Sequence, residues 1–131
     1  MASQYTVKVS SQFSAAHTLR DYVGPCERMH GHNFKIEVEL TASELDKTGF
    51  VIDFREIRQG LKQLTDMLDH QYINEIEPFT TINPTAENLS CWFYQEMSRL
   101  LNRERVRVSA VIVWETDYAW ARYSEDSNEH H

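Results

Sequence analysis

The spacing of apolar residues changes twice along this chain, from every second residue to every third or fourth and back. That double change restricts the folds open to it. Near the N-terminus Tyr5, Val7, Val9 and Phe13 share one face at period two, the pattern of a half-buried strand. Phe34, Ile36, Val38 and Leu40 alternate with Lys35, Glu37, Glu39 and Thr41, which predicts a second strand. A loop is expected between them, from about Ala15 to Gly31, with Gly24-Pro25 as its turn signal. A short extended piece is expected at Phe50-Val51-Ile52. Phe54, Ile57, Leu61, Leu64 and Leu68 then recur at the spacing of an amphipathic helix, with Asp53 as N-cap and Glu56 placed to complete a capping box. Beyond a loop containing Pro78 and Pro84, Thr85 caps a second helix carrying Leu89, Trp92, Phe93, Met97 and Leu100 on one face. Val106 to Glu115 and Tyr118 to Tyr123 read as two closing strands.

The order ββααββ implies an α+β domain, an antiparallel sheet with two helices on one face. A sheet of about four strands has two edges to cover, so a homo-oligomer built by edge pairing is expected. Residues 1–123 read as a single domain and 124–131 as an acidic, flexible tail. The terminal His130 and His131 are set aside from the site.

At 131 residues, 41% of them hydrophobic, the chain can hold a core without disulfides, and two cysteines build no disulfide framework. Reduced thiols in a cytoplasm are the simpler expectation. No apolar run approaches the roughly 18–20 residues of a membrane span, and no signal-peptide core is visible at the N-terminus. A net charge of −7 argues against a nucleic-acid partner, which calls for a basic face.

The histidines carry the chemistry. In His30-Gly31-His32 an extended backbone points both imidazoles to one side, toward one metal. His17, at the end of Phe13-Ser14-Ala15-Ala16-His17, is the third ligand, since the loop-side ends of neighbouring strands meet. Three nitrogens without an obvious fourth ligand describe an open, catalytic Zn²⁺ site. Cys26 precedes His30 by four residues and lies near Arg28. It reads as a thiolate base or nucleophile, or alternatively as a fourth zinc ligand. In Asp69-His70 a carboxylate can orient an imidazole, but neighbours on a helix do not face each other, so the helix must end there. Otherwise the pair is an ordinary helix terminus. Glu115, at the turn between the last strands, either accepts paired N–H groups from an amidine-like ring edge or is a solvated turn acid. Glu87 reads first as an acid suited to a helix N-terminus. Trp92, Trp114, Trp120 and Cys91 read as packing residues.

Taken together, Phe13-Ser14-Ala15-Ala16-His17, Cys26-Glu27-Arg28-Met29-His30-Gly31-His32-Asn33-Phe34, Gly49-Phe50-Val51-Ile52-Asp53-Phe54, Leu68-Asp69-His70, Asn83-Pro84-Thr85-Ala86-Glu87-Asn88 and Glu115-Thr116 resemble, in order, the 6-pyruvoyltetrahydropterin synthase / 6-carboxytetrahydropterin synthase family. The resemblance covers nearly the whole chain. It implies the tunnelling fold, with units assembled as trimers or hexamers and active sites between subunits. It implies His17, His30 and His32 as zinc ligands and Cys26, Asp69 and His70 as the catalytic group. Glu115 becomes the pterin anchor, with Glu87 and Thr85 as weaker contacts. The four-residue interval from Cys26 to His30 resembles the carboxy-type members of 7-deazaguanine (queuosine) biosynthesis. Those convert 7,8-dihydroneopterin triphosphate to 6-carboxy-5,6,7,8-tetrahydropterin, acetaldehyde and triphosphate. Glu27, directly after the cysteine, is a departure. It resembles a subgroup that cleaves the dihydroneopterin side chain to 6-hydroxymethyl-7,8-dihydropterin for folate, and both residues together resemble dual-activity members. A non-catalytic pterin- or purine-binding oligomer with structural zinc is the reading of a different class. Arg20, Arg28 and Lys35 are the nearest cations in sequence for a triphosphate.

Overall fold

The computed structural model describes residues 3–22 and 30–126, with His30 described in its backbone alone. The elements run β1 (Tyr5–His17), β2 (His30–Ala42), α1 (Phe54–Leu68), a single 3-10 turn at Ile73–Glu75, α2 (Ala86–Leu101), β3 (Arg107–Thr116) and β4 (Ala119–Tyr123). The four strands form one antiparallel sheet in chain order. α1 lies against β1, and α2 against β3 and β4. This is the α+β arrangement expected.

Between sheet and helices, Phe34, Ile36, Val38 and Leu40 are completely buried, as are Ile57, Leu68, Leu89, Phe93 and Met97. Each such side chain contributes about 1.5–3 kcal/mol by leaving water. Phe13 stacks on Phe34 with ring centroids 5.0 Å apart, tying β1 to β2 at the end that bears the histidines. The opposite face of the sheet mixes charged residues with Ile112, Trp114 and Trp120. Lys8 pairs with Glu37 at 3.3 Å, and the Trp114 indole N–H donates to Glu37 at 2.6 Å. Burial pulls the Glu37 carboxyl upward, but the Trp114 N–H and Lys8 outweigh it and hold the group below the usual range.

Three expectations are corrected. The loop placed at Ala15–Gly31 begins later, because Ser14 to His17 continue β1 in register with His30 to Asn33. Phe50-Val51-Ile52 is no strand. Its backbone groups are taken by side chains: Asp46 accepts the Phe50 N–H at 2.9 Å and Arg105 donates to the Val51 carbonyl at 2.8 Å. Asp53 caps α1 by accepting from Arg55, while Glu56 pairs with Arg103 instead of closing a capping box, and Phe54 lies exposed outside the apolar stripe. Trp120, read as a packing residue, packs on Trp114 across the outer face and is 54% exposed there.

Candidate active site

Strand alternation brings the first cluster together. Ala15 and His17 of β1 face the helices, and β2 sets His32 and Phe34 on that same side. In β3 the pairing of Val113 with Ile36 turns Val113 inward, so Glu115, two residues on, emerges beside His32. Glu115 Oε1 lies 3.3 Å from His32 Nε2 and 3.7 Å from His17 Nε2. The donor atoms of His17, His32 and Glu115 all fall within 4.8 Å of one another. Phe34 closes the floor, its ring 5.5 Å from that of His17 and 5.6 Å from that of His32.

These residues fit a metal ion. His17 is 2% exposed, and its Nδ1 contacts the Pro84 carbonyl at 2.9 Å. A carbonyl only accepts, so Nδ1 carries the proton and Nε2 turns a lone pair toward His32 and Glu115. A ligand histidine is oriented in this way. The loop that leaves His17 is held like a strand by two asparagines. Asn74 exchanges hydrogen bonds with the Thr18 N–H and C=O at 2.9 and 3.0 Å, and Asn83 does the same for Arg20 at 2.8 and 3.0 Å. Thr85 caps α2 by accepting from Asn88, which fixes the turn that carries Pro84.

A second group stands at the β1 edge. α1 ends at Leu68, Asp69 closes its last turn, and His70 takes a left-handed backbone with φ 58°. That reversal lets two adjacent side chains meet, with His70 Nδ1 3.0 Å from Asp69 Oδ2. The other Asp69 oxygen accepts the Ser14 N–H at 2.9 Å. The Ser14 N–H foremost, and His70 beside it, hold the Asp69 carboxyl below its ordinary range. A cleft of ≈ 540 Å³ is lined by residues including Ser14, Ala16, His32, Asn33, His70 and Tyr72; His32 and His70 border it, while His17, Glu115 and Asp69 are outside its lining.

The sequence model of the family described as 6-pyruvoyl tetrahydropterin synthase matches residues 6–126. The chain belongs to this family. A 6-carboxy-5,6,7,8-tetrahydropterin synthase from Haemophilus influenzae is 31% identical over 146 aligned positions, covering 90% of this chain and 99% of the relative. A dihydroneopterin monophosphate aldolase from Pyrococcus furiosus is 30% identical, with 80% and 84% covered. The structure of Caenorhabditis elegans 6-pyruvoyl tetrahydropterin synthase superposes with a TM-score of 0.84 at 25% identity, over 95% of this chain and 97% of that one. The fold is therefore that of the pterin synthases, the tunnelling fold, and the family is enzymatic.

Of the residues expected in the site of a pterin synthase, the structure brings together His17, His32 and Glu115, and separately Asp69 and His70. His30 pairs with His17 in the backbone register; its side chain, with Cys26, Glu27 and Arg28, lies outside the described residues. Glu87 is exposed in the first turn of α2. Two of the three cations turn elsewhere. Arg20 donates to the carbonyls of Phe79, Ile82 and Asn74, and Lys35 sits over Trp114 on the far side of the sheet. Three groups went unrecognised in the sequence: Pro84 as the partner of His17, and Asn74 and Asn83 as the clamps beside it. The run Asn83-Pro84-Thr85 was visible, but only long-range folding assigns it to His17.

Proposed function

We propose that this chain is a zinc-dependent 6-carboxytetrahydropterin synthase, converting 7,8-dihydroneopterin triphosphate to 6-carboxy-5,6,7,8-tetrahydropterin, acetaldehyde and triphosphate for 7-deazaguanine (queuosine) synthesis. The observation that carries the reading is the histidine-carboxylate donor cluster at the strand ends, accompanied in the same chain by an oriented Asp–His pair. The Haemophilus influenzae relative supports the same activity.

His17, His32 and His30 would hold the ion, which supplies a Lewis acid toward the hydroxyl oxygens of the substrate side chain. Glu115 receives the N–H pair of the 2-amino-4-oxo ring and so sets the substrate side chain against the donor cluster. His70 moves a proton on the C1′–C2′ segment, with Asp69 fixing the ring and stabilising its charged form. Cys26 is the second proton-transfer group, and Thr85 and Glu87 are outlying contacts. The chains assemble as a trimer or hexamer with sites between subunits, which agrees with a His70 ring 81% exposed in the single chain.

A second reading has its own support. Glu27 adjoins Cys26, and the Pyrococcus furiosus relative is a dihydroneopterin monophosphate aldolase. Side-chain cleavage to 6-hydroxymethyl-7,8-dihydropterin, alone or beside the first activity, is its content. Incubation of the zinc-loaded protein with 7,8-dihydroneopterin triphosphate separates these by product. Carboxytetrahydropterin with acetaldehyde is expected. Hydroxymethyldihydropterin alone would transfer the assignment to the aldolase, and no conversion would leave a non-catalytic pterin- or purine-binding protein.

A further inference from the structure

Glu115 is asked for twice, once by the metal cluster and once by the substrate ring. In a tetrahedral zinc site with bonds of about 2.0–2.2 Å, neighbouring donor atoms lie about 3.3–3.6 Å apart. Glu115 Oε1 stands at 3.3 Å from one imidazole nitrogen and 3.7 Å from the other, so a carboxylate joins the two histidines at ligand spacing. The three donors differ in freedom. His17 is sealed in and fixed by Pro84, and the His32 ring rests against Phe34. The Glu115 side chain is 29% exposed and rises where the β3–β4 register shifts between Trp114 and Thr116. Among the described residues its carboxylate meets no group other than these two imidazoles. Of the three, Glu115 alone can leave without unpacking the core.

A carboxylate that ligates an ion through one oxygen cannot at the same time offer both oxygens to a parallel N–H pair. We infer that Glu115 is an exchangeable ligand: it closes the metal site in the free protein and passes to the N–H pair of the pterin ring when substrate enters, opening one coordination position. This rests on the reading of the site as a pterin-binding metal centre. It makes the ring the key to the metal. A polyol lacking the amidine edge does not draw Glu115 away, so metal chemistry is reserved for molecules that carry the ring.

Cobalt(II) bound to the full chain in place of zinc reports its ligand set by visible absorption, independently of turnover. The probe is 6-methylpterin, which has the ring and no side-chain hydroxyls; glycerol is the polyol control. In the wild type 6-methylpterin is expected to alter the cobalt bands and glycerol to leave them unchanged. Glu115→Gln should show altered bands before any pterin is added and little further change afterwards. It should also yield zinc to a chelator about tenfold or more readily than the wild type. Glu115→Asp, which keeps a carboxylate, should fall between them. Identical bands and equal zinc retention in Glu115→Gln, with 6-methylpterin bound by the wild type in a fluorescence titration, would overturn the ligand role and leave the enzyme reading intact. Wild-type bands unmoved by bound 6-methylpterin would overturn the exchange. Cobalt binding without any 6-methylpterin binding would sink the pterin reading, and the exchange with it.

Discussion

His17 has two neighbours with separate consequences, the Pro84 carbonyl at Nδ1 and the Glu115–His32 cluster at Nε2. Replacing it removes a metal donor and leaves a buried carbonyl without its donor, which costs about 1–3 kcal/mol. His17→Ala should therefore bind substoichiometric zinc, lose turnover, and unfold at lower urea even as the metal-free protein. Full zinc occupancy in that variant, measured by elemental analysis, would refute the ligand assignment. Cys26→Ala tests the opposite case: most turnover should vanish while zinc stays bound, and loss of zinc would make Cys26 a ligand. Asp69 carries a pH signature. Its carboxyl lies below the ordinary value of 3.8, held chiefly by the Ser14 N–H. A lowered folded value means that its stabilisation is fully present above the unfolded value and disappears as pH falls through the folded one. The stability gap between wild type and Asp69→Ala, by urea titration of metal-free protein, should be constant near neutrality and close below about pH 4. A gap unchanged to pH 2 would deny the carboxylate its part in pinning β1 to the end of α1.

At the level of elements, the sequence was most informative where local chemistry decides the outcome. The alternation in Phe34 to Leu40 and the caps at Asp53 and Thr85 are short-range signals, and each appears in the fold. Ser14-Ala15-Ala16 offered little hydrophobic contrast. Those residues are strand because β2 pairs with them on one side and Gln71–Tyr72 covers their edge on the other. Phe50-Val51-Ile52 had the contrast of a strand but no partner strand; Arg105 took the Val51 carbonyl and the Asp46 N–H the Phe50 carbonyl. Glu115 was identified as an acid at a turn. Its approach to His32 depends on the registers of β1, β2 and β3 at once, which no local pattern encodes. The asparagine clamps show the same dependence and make a test. Asn74→Ala removes both bonds to Thr18, so the segment after His17 should loosen, costing about 1–3 kcal/mol. Zinc affinity should fall with it, although Asn74 is no ligand. Undiminished affinity by chelator competition would show that β2 alone suffices to place His17.

For the whole molecule, the remaining question is what its open edges meet. Among the described residues the β1 edge is covered by Gln71–Tyr72 only near Ala16, and β4 has β3 as its single neighbouring strand. Beside β4 stand Tyr118, 95% exposed, and Trp120; at the other end of the sheet Tyr5, Phe50 and Phe54 lie open. In the proposed assembly these exposed edges with apolar flanks would pair between copies, the β1 edge of one against the β4 edge of the next, head to tail around a ring. Such contacts consist of main-chain hydrogen bonds and apolar burial, whereas each copy brings a net charge of −7 to the encounter. Like-charged copies repel over a Debye length of about 10 Å at 0.1 M salt and about 3 Å at 1 M. Added salt should therefore tighten the assembly. Sedimentation across that range is expected to find a trimer or hexamer whose dissociation constant decreases as sodium chloride rises. An assembly that falls apart in salt would be held by ion pairs instead, and edge pairing would have to be abandoned as its basis.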